Sequence, residues 1–305
     1  MGILGKISRS IKNPKKAAER TFTRIDEAAG RKVYGNTVGL RNNLSGSRKI
    51  DSNLDPELKI TNPTLYNLKT HQYSLHNNEY NDSLMTSLKE KYDSLIEDDK
   101  FSFPTAGYEE KIYCRHIRDA AINFPELSEL LTNDVKEIVR GYFDSDFSVK
   151  HIACWRNYHV PEELRKQEMF SNFWHFDRRE ISELKFFVYF SDVSESDGPF
   201  HVQSRDRTKE LMKMGFKNRQ DYGISLQILE DPEHVRKITG KIGTTYFGNA
   251  NVCLHRAGDP AKDHARDMVQ FVFVPSKNPL SDNWLEDVTP LSTREYSPNQ
   301  KVFSN

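Results

Sequence analysis

Residues 172–203 read NFWHFDRREISELKFFVYFSDVSESDGPFHVQ, and the fold follows from how their apolar positions are distributed. Leu184–Phe190 is a seven-residue run of aromatic and β-branched side chains, too short for a buried helix. The polar, turn-forming stretch from Ser191 to Gly198-Pro199 separates it from a second short run, Pro199–Gln203. Outward from this stretch the same texture recurs in Val149–Val160, Ile242–Phe247, Val252–His255 and Met268–Val274, with Gly243 and Gly248-Asn249 supplying turns. Many short strands after a helical preface predict an antiparallel sandwich or jelly roll, mainly β with N-terminal helices, an α+β chain.

The preface is read from period 3.6. Leu84, Leu88, Tyr92, Leu95 and Ile96 share one face of a helix starting near Asp82, and Leu127, Leu130, Leu131, Val135, Ile138 and Val139 do so between Pro125 and Phe143. Residues 35–65, rich in Asn, Ser, Gly and Thr, have no period. The organisation expected is a leader and linker over 1–65, a helical preface over 66–145, and a β core over 146–280. The charged stretch near 206–239 reads as a helical insertion in that core, and 281–305 as a polar tail.

Lys+Arg and Asp+Glu balance at 44 each among 305 residues, so no net field favours nucleic acid. Eighteen Phe and thirteen Tyr suffice for a sizeable core. Cys114, Cys154 and Cys253 form no close-spaced pair and read as reduced, buried thiols, and no run is long and apolar enough for a bilayer or a signal peptide. The expectation is a soluble, cytoplasmic protein. Residues 1–30 carry Lys6, Arg9, Lys12, Lys15, Lys16, Arg20 and Arg24 beside an Ile3, Leu4, Ile7, Ile11 stripe. A solvated or partner-docked leader is the preferred reading, with a weak anchor at a membrane surface as the alternative.

The chemistry lies in His175-Phe-Asp177. Positions i and i+2 on extended backbone share a face, so an imidazole and a carboxylate point together. His255, ending the strand-like Asn251–His255, is a third ligand candidate from a distant strand. Two imidazoles and one carboxylate leave open positions on one side of an ion, the arrangement of non-haem Fe(II) oxygen chemistry, with zinc as the competitor. Arg266 stands eleven positions after His255, and a turn through Gly258-Asp259-Pro260 would bring the two into one cavity from adjacent strands. Arginine is suited to bidentate capture of a carboxylate there.

Together these pieces resemble the phytanoyl-CoA dioxygenase family of Fe(II)/2-oxoglutarate oxygenases. The resemblance rests on His175-Phe-Asp177, on Leu184 to Val193 followed by Gly198-Pro199-Phe200, and on His255 with Arg266, and it covers roughly residues 101–275. It implies a double-stranded β-helix, a distorted jelly roll of cupin-like form. It also implies metal ligation by His175, Asp177 and His255, and binding of the 2-oxoglutarate C5 carboxylate by Arg266. With O2 as co-reactant, and ascorbate as a supporting reductant, 2-oxoglutarate is decarboxylated to succinate while a C–H bond of a small organic substrate is hydroxylated. Relatives that halogenate lack the carboxylate ligand, so Asp177 favours hydroxylation.

This chain departs from the family pattern in two places. Ala257 stands where a hydroxyl residue often assists the arginine, which leaves Thr244, Thr245 and Tyr246 as guesses for a second donor. The segment after Gly198-Pro199 reads His201-Val-Gln-Ser-Arg205-Asp-Arg207 in place of Gly-Ser-His. Tyr158 and Arg156 precede the motif on a strand candidate and are candidate contacts to cosubstrate or substrate. Arg178, Arg179, His201, Arg205 and Arg207 would ring the pocket mouth and suit an anionic substrate, unless they are ordinary solvated charges. Trp174 reads as core. His151, His159 and His234 read as structural or exposed, and His264 as a supporting group beside Arg266. The readings set against this one are a zinc or cupin-like metalloenzyme without 2-oxoglutarate, and a jelly-roll binding module without chemistry.

Overall fold

A computed structural model describes residues 56–77, 80–108, 111–177 and 183–290. The basic leader, Arg178, Arg179 and residues 291–305 lie outside the described residues. The chain runs through α1 (Leu58–Thr61), α2 (Pro63–His71), β1 (Tyr73–His76), α3 (Asp82–Glu97), β2 (Ser102–Tyr108), β3 (Lys111–Ile117), α4 (Ala120–Asn123), α5 (Asn133–Phe143) and β4 (Asp146–Tyr158). It continues through β5 (Leu184–Tyr189), β6 (Phe200–Gln203), α6 (Arg205–Met214), α7 (Leu226–Leu229), β7 (Val235–Ile238), β8 (Thr245–Gly248), β9 (His255–Ala257) and β10 (Ala265–Ser276).

The strands form a seven-stranded sheet in the order β1-β8-β5-β10-β4-β3-β2 and a three-stranded sheet in the order β7-β6-β9. All pairings are antiparallel. Period-2 alternation divides each central strand between two environments. Leu184, Phe186 and Val188 of β5, with Val269, Phe271 and Phe273 of β10, face the helices and pack against Leu68, Leu88, Tyr92 and Ile138. Phe187 and Tyr189 of β5, Tyr246 of β8 and Met268 of β10 face the small sheet, where Val202 and Ile238 meet them. A third cluster, Trp174 with Leu211, Phe216 and Leu229, covers the outer face of the small sheet beneath α6 and α7. The layers are therefore helices, large sheet, small sheet, and the helical insertion.

The segment boundaries differ from the sequence reading in four places. The stretch read as linker to residue 65 already holds α1 and the start of α2, because Asn62 caps Leu65 N–H at 2.9 Å and Pro63 opens the helix. The preface contributes β1, β2 and β3 to the large sheet as well as helices. The expected helix from Pro125 is a 3-10 turn, Pro125–Leu130, followed by α5, with Thr132 capping Val135 N–H. Trp284 and Val288 of the expected polar tail are buried against the main core. The insertion holds two helices, α6 and α7, and finishes in β7. All three cysteines are buried free thiols, and among the described residues no helix is long and apolar enough to cross a membrane.

Candidate metal centre

His175 lies just outside β9 and bridges to it. Its N–H donates to His255 O at 3.0 Å, and His255 N–H returns the bond at 3.1 Å. Asp177 N–H is tied to Ala250 O at 3.1 Å, so both ligand segments are clamped to one loop-and-strand unit. His255 opens β9 and does not end a strand as expected; residues 250–254 are turn and loop. The three side chains converge: Asp177 Oδ1 is 3.5 Å from His175 Nε2 and 3.6 Å from His255 Nε2. Ligand atoms bound at about 2.1 Å to a shared ion stand roughly 3–3.5 Å apart, so the spacing fits a single metal.

The outward nitrogens fix the tautomers. His175 Nδ1 lies 2.6 Å from Phe173 O and His255 Nδ1 lies 3.0 Å from Cys253 O, so each Nδ1 carries its proton and each Nε2 offers a lone pair. Burial, reinforced by His255, lowers the His175 pKa to about 4, which keeps the imidazole neutral. Burial alone would raise the Asp177 carboxyl, but Lys185 above all, with the two imidazoles, holds it well below the usual carboxylate range. Lys185 Nζ sits on Asp177 Oδ2, the oxygen turned away from the imidazoles.

The triad opens into a cavity of about 440 Å³ between the sheets, which Arg266 also lines. Arg266 reaches it from β10 in the large sheet, whereas His255 lies in the small one. The expected pairing of adjacent strands is therefore replaced by a crossing of the loop Gly258–His264 from one sheet to the other. That crossing is tight: Gly258 N–H donates to Pro199 O at 2.9 Å, and a Cβ on Gly258 would lie 2.5 Å from that oxygen. Gly198, at φ +66°, packs equally closely on Pro260 and leaves its carbonyl to accept from Arg266 Nη1.

Arg266 is 1% exposed, and among the described residues it forms no ion pair. Burial lowers its pKa. Nη2 donates to Asn157 Oδ1 at 2.8 Å, while its Nε has no partner. Asn157 is directly opposite Arg266 in the β4–β10 register. Trp155 Nε1 donates to the same Oδ1 at 3.0 Å, which fixes the amide orientation and leaves Asn157 Nδ2 as a second buried donor without a partner. Two hydrogen-bonded residues, Arg266 and Asn157, thus each keep a buried donor without a partner, a donor set whose chemistry suits a carboxylate.

Sequence reasoning named the neighbours of Asn157. Alternation puts Arg156 on the opposite face, bonded to Asp267 at 2.6 Å and Asp93 at 2.6 Å, and Tyr158 is likewise absent from the cavity wall. Thr244 does not line it either, Thr245 donates to His76 O at 2.7 Å, and Tyr246 stacks behind it on Phe187. His201 points to the outer face against Trp174, where burial lowers its pKa to about 2. Arg205 and Arg207 begin α6 outside the cavity, and Arg178 falls outside the described residues. His264 is half-exposed and pairs with Asp197 at 2.8 Å rather than supporting Arg266. The cations that do line the cavity are Lys150, Lys185 and Arg219. Lys150 pairs with Glu183 at 2.6 Å and Arg219 with Glu168 at 2.5 Å.

No family model matches the sequence, and no curated relative matches it. Solved structures match the fold. The non-heme alpha ketoglutarate dependent epimerase SnoN from nogalamycin biosynthesis has a TM-score of 0.55 at 13% identity, covering 78% of this chain and 92% of its own. EctD from S. alaskensis, solved with 2-oxoglutarate and 5-hydroxyectoine, has a TM-score of 0.54 at 14% identity, covering 79% and 86%. The carbocyclase SnoK, from the same biosynthesis as SnoN, has a TM-score of 0.51 at 14% identity, covering 78% and 92%. The chain thus adopts the double-stranded β-helix fold of non-heme iron, 2-oxoglutarate-dependent enzymes.

Proposed function

We propose that this protein is an Fe(II)- and 2-oxoglutarate-dependent oxygenase of the phytanoyl-CoA dioxygenase type that hydroxylates a C–H bond of a small, polar organic substrate. The observation that carries the reading is Arg266, a buried guanidinium without a carboxylate, in the same cavity as a His-Asp-His cluster. Burying a lone cation costs several kcal/mol unless a ligand offsets it. An anionic cosubstrate that meets the metal at one end and Arg266 at the other does so.

His175, Asp177 and His255 would hold Fe(II), and Arg266 with Asn157 would hold the far carboxylate of 2-oxoglutarate. Bound together with O2, these groups supply oxidising chemistry that couples decarboxylation of the keto acid to C–H hydroxylation. The protein's part is to orient and to dry the site. Phe200 stacks on the His255 ring at 5.5 Å, and Phe187 and Met268 complete an apolar wall beside the ligands. The outer cavity is polar, with Lys150, Glu183, Glu168, Arg219 and Gln270, and this favours a substrate bearing charged or hydroxyl groups over a long acyl chain.

SnoN and EctD were solved with a nogalamycin compound and with 5-hydroxyectoine, both small molecules, which supports the same substrate size here. The test is calorimetric titration of 2-oxoglutarate into the anaerobic Fe(II)-loaded protein, followed by a succinate assay on admission of O2. The expected result is metal-dependent 2-oxoglutarate binding and slow succinate release without substrate, both lost in His175→Ala. A protein that binds 2-oxoglutarate equally well without metal, or not at all, refutes the reading.

A further inference from the structure

Lys185 was singled out by nothing in the sequence, and the mechanism above does not use it. It lies on β5, whose alternation turns it inward with Phe187 while Leu184 and Phe186 face the helices. Its register partners are Gly248 on β8 and Val272 on β10, so neither neighbouring strand places a polar side chain opposite it. Glu183, another carboxylate lining the cavity, is engaged by Lys150. Among the described residues the Lys185 ammonium is thus directed at Asp177 Oδ2 alone. The other oxygen, Oδ1, is the one that both imidazole Nε2 atoms face, at 3.5 and 3.6 Å.

A carboxylate ligand has two modes. With its second oxygen free it can rotate and chelate an ion through both oxygens, filling a position that a keto acid needs; with that oxygen held it binds through one. We propose that Lys185 is a positioning residue that holds Asp177 to one-oxygen ligation and so keeps the metal's remaining positions open for 2-oxoglutarate. The inference rests on the reading of His175, Asp177 and His255 as a metal site. It carries a sign that a merely structural lysine would not. Loss of the ammonium removes a positive charge beside the ion and frees a second ligand oxygen, so divalent metal should bind more tightly while 2-oxoglutarate binds more weakly.

The experiment uses the full chain loaded with Co(II), whose visible absorption weakens as coordination number rises. In Lys185→Met the Co(II) spectrum without cosubstrate should lose intensity, Co(II) affinity should rise, and 2-oxoglutarate affinity should fall, each by about tenfold, the lower end of effects seen for groups that orient ligands. Lys185→Arg should restore all three. Lys185→Gln, which keeps a donor and is the milder change to the fold, should keep the wild-type spectrum. If Lys185→Met folds and binds Co(II) with wild-type spectrum, metal affinity and 2-oxoglutarate affinity, this proposal alone is overturned, and a weakened Lys185→Gln spectrum overturns it as well, because that variant keeps the donor. A wild-type protein that takes up no Co(II) overturns the metal reading and this proposal together.

Discussion

Replacement of Arg266 by Met separates a cosubstrate residue from a structural one because the two roles predict different pairings of stability and affinity change. In the ligand-free fold the guanidinium is 1% exposed and makes two hydrogen bonds, to Asn157 Oδ1 and to the Gly198 carbonyl, with Nε unpaired. Hydrogen bonds to a charged group contribute about 1.5–3 kcal/mol each. Against them stands the desolvation of a cation with no ion-pair partner, several kcal/mol. The two nearly cancel, and Met fills much of the same volume, so the ligand-free protein should change in stability by no more than about 2 kcal/mol in either direction. Binding is different. Removing one partner of a buried, hydrogen-bonded charge pair costs about 3–5 kcal/mol, which is roughly two to four orders of magnitude in 2-oxoglutarate affinity. Urea unfolding of the metal-free protein measures the first quantity, and calorimetry of 2-oxoglutarate into the Mn(II)-loaded protein measures the second. A variant destabilised by more than about 3 kcal/mol, but with 2-oxoglutarate affinity within threefold of wild type, would show Arg266 to be a structural cation and refute the reasoning.

Asn157→Asp keeps both hydrogen bonds that Oδ1 accepts, removes the free Nδ2 donor and gives Arg266 an internal counter-ion; it should weaken 2-oxoglutarate binding by about 10- to 100-fold without lowering the ligand-free melting temperature, and an unchanged affinity would discard Asn157 as the second donor. Acid stability should respond to His116, whose pKa burial lowers to about 3. The unfolded chain, with a pKa of about 6.5, takes up this proton first as pH falls, so stability is full above about pH 6.5 and is lost towards pH 3 at about 1.4 kcal/mol per pH unit. His116→Phe, which keeps the stack on Trp155, should reduce the pH slope of unfolding between pH 6 and 4 by that amount, and a slope equal to wild type would contradict the burial argument.

The parts of the fold that sequence made legible are those with a strong period. The runs Leu184–Phe190 and Met268–Val274 became the central strands β5 and β10, and the stripe from Leu88 to Ile96 became the buried face of α3. Short strands in polar context were not legible: β2 and β3 lie in a stretch with Pro104, Gly107 and several charged residues, and they are ordered by pairing, β3 on β4 and β2 on β3, rather than by their own pattern. The same distinction governs the site. His175, Asp177, His255 and Arg266 are rare residue types at informative spacings. Asn157 and Lys185 are ordinary types whose roles depend on which way a strand faces; Tyr158 and His201, each one position from the lining residues Asn157 and Phe200, fall on the other face.

The charges of the cavity also bear on which metal chemistry the triad serves. Asp177 is met by Lys185, Glu183 by Lys150, and Glu168 by Arg219, so those lining cations and carboxylates neutralise one another in pairs. Among the described residues Arg266 forms no ion pair; its Nε is unsatisfied, as is Nδ2 of Asn157, to which it is hydrogen-bonded. A zinc hydrolase built on the same three ligands needs only an activated water and a polarised carbonyl, and neither would offset the cost of keeping a guanidinium buried and unpaired on the far wall. A cosubstrate with a metal-binding group at one end and a carboxylate at the other offsets it, and 2-oxoglutarate has that form. The buried charge with no ion-pair partner among the described residues, more than the three ligands themselves, is therefore the feature on which the proposal of an oxygenase over a hydrolase rests.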